Sequence, residues 1–236
     1  MGCRVIPVCA APPFACELAV SCDERWRAHD LLRLRRLAAF DGEPAWVRDA
    51  FERAPYAVVR RALVAEGIVA IGVRGTGRSQ RYGTWAASTD VAEVVSPEAL
   101  VCSAPPTGRA GLPAFAALAA LQRDAGSILN TMVWGPAGSA GFELAARTAA
   151  VTPSSDLDLL IRTPQQLSRD CAADLLTHLQ ALARETGIRI DAQLETPAGG
   201  VALAEWASGK ARVMARHASG PRLLADPWSA VHRTAS

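Results

Sequence analysis

The chain has 236 residues, of which half are apolar and a fifth are charged, a composition typical of a globular protein and not of an intrinsically disordered one. Basic residues exceed acidic residues by 25 − 23 = 2, a surplus too small for a protein that coats nucleic acid through a broad basic surface. Because 24 of the 25 cations are arginine, the positive charge is suited to bidentate contacts with phosphate or carboxylate groups.

We expect residues 1–25 to form a disordered extension. Four of the six cysteines lie there, and without a CxxC pair they indicate neither a zinc site nor a disulfide framework. The apolar stretch resembles part of a signal peptide, but it has one arginine before it and is broken by Pro12 and Pro13. No other stretch has the apolar length of a membrane-spanning helix. These features predict a cytoplasmic protein.

The next segment predicts a small α/β N-terminal domain over residues 26–104. WRAHDLLRLRRLAAF and EPAWVRDAFERAP indicate one or two amphipathic helices. YAVVRRALVAEGIVAIGVRG indicates a strand pair that turns at Glu66-Gly67, and TGRSQRYGTW then ends the apolar runs. After a short helical stretch at 96–100, the prolines and glycines of residues 103–112 predict a domain boundary.

The second half, residues 112–236, predicts a mixed α/β domain around a small sheet. LPAFAALAALQRDAGSIL reads as a helix, NTMVWGP as a strand, AGSAGFELAART as a turn and short helix, and SDLDLLIR as a strand. A long helix follows, with Thr163 as its cap, Pro164 at its first position and Gly187 at its end. RIDAQLET is a further strand, followed by another helix and one or two short strands.

Paired aspartates mark the start of the strand SDLDLLIR. The alternation of a strand puts Asp156 and Asp158 on one face, about 7 Å apart along the backbone. Two adjacent carboxylates favour a neutralising cation, and hard divalent ions such as Mg²⁺ or Mn²⁺ prefer oxygen ligands. Asp191 on the later strand would supply a third carboxylate if the two strands are neighbours. The alternative interpretation is a solvated strand end or a capping pair.

Two further groups of residues suggest anion binding. Gly138 and Ser139 lie where a strand passes into a helix, a position at which free backbone N–H groups bind phosphate oxygens, although a plain turn explains the same residues. Arg74, Arg78 and Arg81 lie within eight residues of one another among glycines. They would bind phosphates of a substrate or acidic residues of a partner protein, or they form a solvated basic loop between the domains.

The order of these features resembles the nucleotidyltransferase fold of the polymerase-beta superfamily. A strand, a Gly-Ser loop, a short helix, a strand with paired aspartates and a later strand with a third acid follow one another. The resemblance implies that the Gly138-Ser139 loop holds a triphosphate and that Asp156, Asp158 and Asp191 hold two metal ions. The spacing of sixteen residues between Ser139 and Asp156 is longer than is typical of that superfamily.

A narrower resemblance covers about residues 26–228. The segments HDLLRL, VRGTGRSQRYGTW, WGPAGSAGFELA, TPSSDLDLLIR, DAQLETPAGGVALAEWA and GPRLLADPW are together similar to malonate decarboxylase holo-acyl-carrier-protein synthase, also called phosphoribosyl-dephospho-CoA transferase. This family implies transfer of a prosthetic group from 2'-(5''-triphosphoribosyl)-3'-dephospho-CoA to a serine of the apo acyl-carrier subunit of malonate decarboxylase, with release of pyrophosphate.

The resemblance also implies roles for individual residues. Asp156 and Asp158 would hold one or two Mg²⁺ ions, Asp191 would complete the metal site or accept the hydroxyl proton, and Gly138 and Ser139 would hold the leaving pyrophosphate. Two alternatives remain open at this stage. The first is a nucleotidyltransferase with another acceptor, such as the citrate lyase carrier protein, a small molecule or RNA. The second is a non-catalytic module that binds a carrier protein.

Overall fold

The structure is a computed structural model that describes residues 8–15, 25–77, 79–124 and 128–229. The chain divides into two compact units, Met1–Ser96 and Pro97–Ser236, a few residues before the expected boundary at 103–112. Each unit contains a six-stranded sheet with helices, which confirms the mixed α/β class predicted from the sequence. No helix in the described ranges is both long and apolar enough to cross a bilayer.

The first unit is a sheet with one α-helix among its described residues. Its elements are β1 (Val8–Cys9), β2 (Leu31–Leu34), α1 (Trp46–Arg53), β3 (Tyr56–Val59), β4 (Ile68–Arg74), β5 (Arg81–Ala87) and β6 (Val91–Val95). The strand order is β1-β5-β4-β3-β2-β6, and only the β1–β5 pair is parallel. Helix α1 contacts β4, and the core includes the fully buried Leu32, Val47 and Ile71.

Three features of this unit differ from the sequence expectations. Leu31–Leu34 is a strand instead of a helix, because β3 and β6 pair with it on both sides and three of its four residues are buried. The segment TGRSQRYGTW, expected to end the apolar runs, instead contains the start of β5, which runs over Arg81–Ala87. Part of the extension expected to be disordered, residues 8–15, adds β1 to the sheet beside β5, while residues 1–7 and 16–24 lie outside the described ranges.

The second unit alternates helices and strands. Its elements are α2 (Pro113–Arg123), β7 (Val133–Pro136), α3 (Gly138–Ala146), β8 (Leu157–Arg162), α4 (Arg169–Thr186), β9 (Ile190–Thr196), β10 (Gly199–Ala202), α5 (Leu203–Ala207), β11 (Val213–His217) and β12 (Gly220–Leu224). The strands lie side by side in sequence order from β7 to β12. Strands β8 and β9 are parallel because α4 connects them, and the other neighbours are antiparallel.

The two faces of this sheet differ in character. On one face, Leu157, Leu159 and Ile161 of β8 and Leu194 of β9 are at most 1 % exposed, in a sheet that α2 and α4 contact. The strand alternation places acidic and polar side chains on the other face, which we call the polar face, together with Leu160 of β8, which is 1 % exposed. It is defined by Asp158 of β8, Asp191, Gln193 and Glu195 of β9, and Arg216 of β11.

The long helix α4 begins later than the sequence predicts. Its cap is Ser168, whose hydroxyl accepts a hydrogen bond from the N–H of Cys171. Thr163, the predicted cap, is buried at the end of β8, where its backbone N–H donates to the carbonyl of Glu195 at 2.9 Å. The prediction for the other end is confirmed, since Gly187 closes the helix in a left-handed conformation with φ 70°.

Candidate active site

The acids predicted from the sequence lie on adjacent strands. In the parallel pairing of β8 and β9, Asp158 is level with Asp191, so both side chains point from the polar face at neighbouring positions. Asp156 precedes β8 by one residue, and strand alternation directs it to the same side. The condition under which Asp191 supplies a third carboxylate, that its strand lies beside the strand of the aspartate pair, is therefore met.

The Gly138 turn lies directly against Asp158. Gly138 has φ +56°, and a Cβ atom built on it would be 1.8 Å from Oδ2 of Asp158. The backbone N–H of Ala137 donates to the carbonyl of Asp158 at 2.8 Å, which ties the turn to β8. Only glycine meets both demands at this position, a left-handed backbone and the absence of a side chain.

Helix α3 starts at this turn with its N-terminus next to the acids. Ala137 provides no side-chain cap, so the first turn of α3 keeps N–H groups for another acceptor. Ser139 is 7 % exposed in that first turn. The structure thus places Gly138 against Asp158, and Ser139 follows it in the first turn of α3.

A basic residue that the sequence analysis did not identify bridges two of the acids. Arg189 Nη2 donates to Asp156 Oδ2 at 3.1 Å and lies 2.6 Å from Asp191 Oδ2. The side chains of Asp191 and Arg189 are 46 % and 66 % exposed, so this ion pair is largely in solvent. Arg189 precedes Asp191 by two residues, and strand alternation is the sequence signal that would have placed both on one face.

The donor set suits a hard divalent ion in its chemistry, because Asp156, Asp158 and Asp191 offer only carboxylate oxygens. In the described ranges, however, no three histidine, cysteine, aspartate or glutamate side chains are gathered closely enough to hold an ion. The guanidinium of Arg189 instead supplies the positive charge that paired carboxylates require. A bound ion would have to share the oxygens of Asp156 and Asp191 with Arg189 or displace it.

Glu143 of α3 forms a second acidic centre, which is buried. Its carboxylate pairs with the guanidinium of Arg109 and accepts the backbone N–H groups of Ala150 and Val151, both at 2.7 Å. Burial by itself would raise the pKa of Glu143, but the hydrogen bonds from Arg109 and the two N–H groups outweigh it and lower the pKa. These bonds tie α3 to the loop that leads to Asp156.

Further along the polar face, Arg216 crosses from β11 toward β9. Its Nη1 donates to Oε1 of Gln193 at 2.7 Å. Arg162 on β8 lies level with Glu195 and pairs with Glu98 at 3.3 Å. The face therefore carries basic groups as well as the acids.

The predicted arginine group lies in the first unit. Arg74 ends β4 and Arg81 begins β5, and the two are paired across the hairpin that joins these strands. The loop is therefore the turn of a hairpin within this unit and not a connection between the two units. Arg78 lies outside the described residues.

Two family profiles together match most of the chain. The phosphoribosyl-dephospho-CoA transferase MdcG N-terminal domain matches residues 27–97, and the phosphoribosyl-dephospho-CoA transferase MdcG C-terminal domain matches residues 101–227. The first match covers the first compact unit from residue 27 and ends one residue beyond it, at Pro97, and the second match falls within the second unit. No solved structure matches the chain, so the nucleotidyltransferase likeness has no support from that comparison.

Curated relatives match over nearly their whole length. A Pseudomonas fluorescens phosphoribosyl-dephospho-CoA transferase is 44 % identical over 86 % of this chain and 94 % of its own. The protein of that name from Pseudomonas aeruginosa is 45 % identical over 85 % of this chain and 92 % of its own. The one from Azotobacter vinelandii is 40 % identical over 86 % of this chain and 94 % of its own. The chain belongs to the phosphoribosyl-dephospho-CoA transferase family, a family of transferase enzymes.

Proposed function

We propose that this protein transfers the phosphoribosyl-dephospho-CoA group from 2'-(5''-triphosphoribosyl)-3'-dephospho-CoA to a serine of the apo acyl-carrier subunit of malonate decarboxylase. In this reaction the serine oxygen bonds to the α-phosphorus, the bond from that phosphorus to the bridging oxygen breaks, and pyrophosphate leaves. One observation carries the proposal in a chain of this family. The Gly138 turn lies against Asp158, and Asp158 is level with Asp191 on the neighbouring strand.

The site would be completed by Mg²⁺ or Mn²⁺ held by Asp156, Asp158 and Asp191. Such an ion would neutralise the triphosphate and favour in-line displacement at phosphorus. Arg189 would then turn from the carboxylates toward solvent or a substrate phosphate, a movement that its 66 % exposure permits. Asp191 either binds the ion or accepts the proton of the serine hydroxyl.

Gly138 and Ser139 are proposed to bind the leaving pyrophosphate. The first turn of α3 presents backbone N–H groups at the positive end of the helix dipole, and Ser139 adds a hydroxyl donor. Because the turn lies against Asp158, the leaving group would be held next to a carboxylate that is proposed to bind the neutralising ion.

The arginines of the β4–β5 hairpin are proposed to bind phosphates of the precursor or acidic residues of the carrier protein. Arg74 and Arg81 are cross-strand partners where the two strands meet the turn, and Arg78 lies between them in the sequence. Guanidinium groups suit both partners because their forked donors match phosphate and carboxylate geometry.

The test combines purified protein with the triphosphoribosyl precursor, Mg²⁺ and apo carrier subunit, and follows the intact mass of the carrier and the release of pyrophosphate. The expected result is a mass gain equal to the precursor minus pyrophosphate, with one pyrophosphate per modified carrier and no gain in EDTA. A parallel arm replaces the malonate decarboxylase carrier with that of citrate lyase. Modification of the second carrier alone would overturn the proposed acceptor, and modification of neither by folded protein would overturn the reaction.

A further inference from the structure

We propose that Arg216, positioned by Gln193, binds the diphosphate of the dephospho-CoA arm of the substrate. This inference rests on the proposed function, because it assigns a part of the proposed substrate to a region of the polar face that the transfer chemistry leaves unused. It concerns a cation on β11, two strands beyond the acid on β9.

The course of the Arg216 side chain is the first observation. On the backbone Arg216 is level with Gly200 of β10, and Gly200 is level with Glu195 of β9. Its guanidinium nevertheless reaches Gln193, which lies two residues closer to Asp191 along β9. The side chain therefore leans over β10 toward the end of the sheet that carries the acids.

The small residues of β10 make this course possible. Gly200 and Ala202 are the β10 residues of the polar face, level with Glu195 and Gln193 of β9. Between β9 and β11, β10 therefore presents nothing larger than a methyl group on the polar face, and we call this stretch of β10 the trough.

Hydrogen-bond chemistry defines what the trough would bind. The side-chain oxygen of Gln193 accepts a hydrogen bond from one guanidinium nitrogen of Arg216. Because Arg216 is exposed, its other N–H groups are accessible to a ligand. A guanidinium fixed on one edge and open on the other suits a phosphate or diphosphate oxygen pair. The amide of Gln193 is neutral, so it orients the guanidinium and leaves its positive charge in place. A carboxylate at the same position would neutralise that charge.

The order of groups along the sheet indicates which phosphates these are. The pyrophosphate site follows β7, and the acids that would face the α-phosphorus lie on β8 and β9. The part of the substrate beyond the α-phosphorus, which is the group transferred, then continues over β10 toward β11. Arg216 thus meets the diphosphate of dephospho-CoA and not the leaving pyrophosphate.

An apolar patch continues the trough at the sheet edge. Met214 of β11 and Leu223 of β12 are cross-strand partners on the polar face, 37 % and 57 % exposed. An adenine ring or a pantetheine chain next to the diphosphate would cover them. Apolar contact beside a fixed cation is the combination that a nucleotide arm requires.

The test measures binding of dephospho-CoA, and separately of inorganic pyrophosphate, to the whole chain by calorimetry. We expect Arg216→Gln to weaken dephospho-CoA binding by about tenfold or more, the effect of losing a charge-assisted hydrogen bond. Pyrophosphate binding should be unchanged, and Arg216→Lys should fall between wild type and Arg216→Gln because it keeps the charge without the fork.

The control is Arg222→Gln on the neighbouring strand. Arg222 is paired with Ala215, so it points from the opposite face and should leave both affinities unchanged. Unaltered dephospho-CoA binding in Arg216→Gln, no dephospho-CoA binding by the wild type, or a loss confined to pyrophosphate would each overturn the inference. Carrier modification by wild-type protein in the mass assay would then still support the proposed function, whereas Arg216-dependent binding without carrier modification would overturn that function alone.

Discussion

Two acidic centres of the second unit differ in how their charge is balanced. Glu143 is fully buried, and its oxygens are bonded to Arg109 and to backbone N–H groups of one loop. Asp191 on the polar face is about half exposed and is paired with Arg189, which is itself mostly in solvent. The buried acid holds two parts of the fold together, whereas the exposed acid keeps its oxygens within reach of an ion or substrate. Burial and partner type therefore distinguish the structural Glu143 from Asp191, the acid proposed to function in transfer.

The largest effect should come from Asp158→Asn. Loss of one carboxylate beside Asp191 and Gly138 should slow carrier modification by about a thousandfold, or about 4 kcal/mol of transition-state stabilisation. The unfolding free energy should change little, since asparagine keeps the size of the side chain. Intact-mass kinetics and urea unfolding check both expectations. The control is Asp174→Asn, which changes an exposed acid on α4 and should keep the wild-type rate. If Asp158→Asn also modified the carrier at the wild-type rate, Asp158 would not belong to the active site.

The next effect is on stability and comes from Glu143→Ala. Removing the buried carboxylate leaves Arg109 and the N–H groups of Ala150 and Val151 without their acceptor, which should cost about 3 kcal/mol of unfolding free energy. Urea unfolding measures this loss. The double variant Glu143→Leu, Arg109→Met should recover part of it, because no charge stays buried. A cost below about 1 kcal/mol for Glu143→Ala would contradict the structural role.

The next variant is Gly138→Ala. Gly138 lies against Asp158 and begins α3, the helix that carries the buried Glu143. The added Cβ overlaps the carboxylate of Asp158, so we expect carrier modification to fall by about tenfold or more, because a small misplacement of catalytic groups is costly. Gly187→Ala is the matched control, because Gly187 has a similar positive φ but nothing within 4 Å of an added Cβ. Both should lose about 1 kcal/mol of stability from the left-handed backbone. Equal transfer rates in the two variants would contradict the role of the Gly138–Asp158 contact.

The smallest effect is expected for Arg189→Gln. This change removes the cation that shares oxygens of Asp156 and Asp191, so Mn²⁺ should bind up to about fivefold more tightly, the range of an exposed ion pair. Calorimetric titration measures the affinity, with Arg184→Gln on α4 as a control for the loss of one positive charge. Weaker Mn²⁺ binding in Arg189→Gln would contradict competition between the arginine and the ion.

The sequence was sufficient for the framework of the candidate site. SDLDLLIR and RIDAQLET alternate clearly enough to predict β8 and β9, and the structure pairs these strands in parallel with Asp158 level with Asp191. The glycine of the turn before α3 was predicted for phosphate binding. The structure adds a steric reason for it, the contact with Asp158.

Other features depend on contacts distant in sequence. The spacing of Leu31, Leu32 and Leu34 fits a helix or a strand, and only the pairing with β3 and β6 makes it a strand. The buried Glu143 requires a partner, but nothing local indicates Arg109, which lies 34 residues away. Helix α4 begins at Arg169 because Thr163 is bonded to β9, a contact absent from the local pattern.

The central claim is that the acids of the polar face bind the divalent ion on which transfer depends. The most direct measurement is a Mn²⁺ titration followed by electron paramagnetic resonance, comparing wild type with the Asp158→Asn, Asp191→Asn double variant and with Asp174→Asn. We expect wild type and Asp174→Asn to bind Mn²⁺ equally and the folded double variant to lose this binding. Unchanged Mn²⁺ affinity and stoichiometry in the double variant would contradict it.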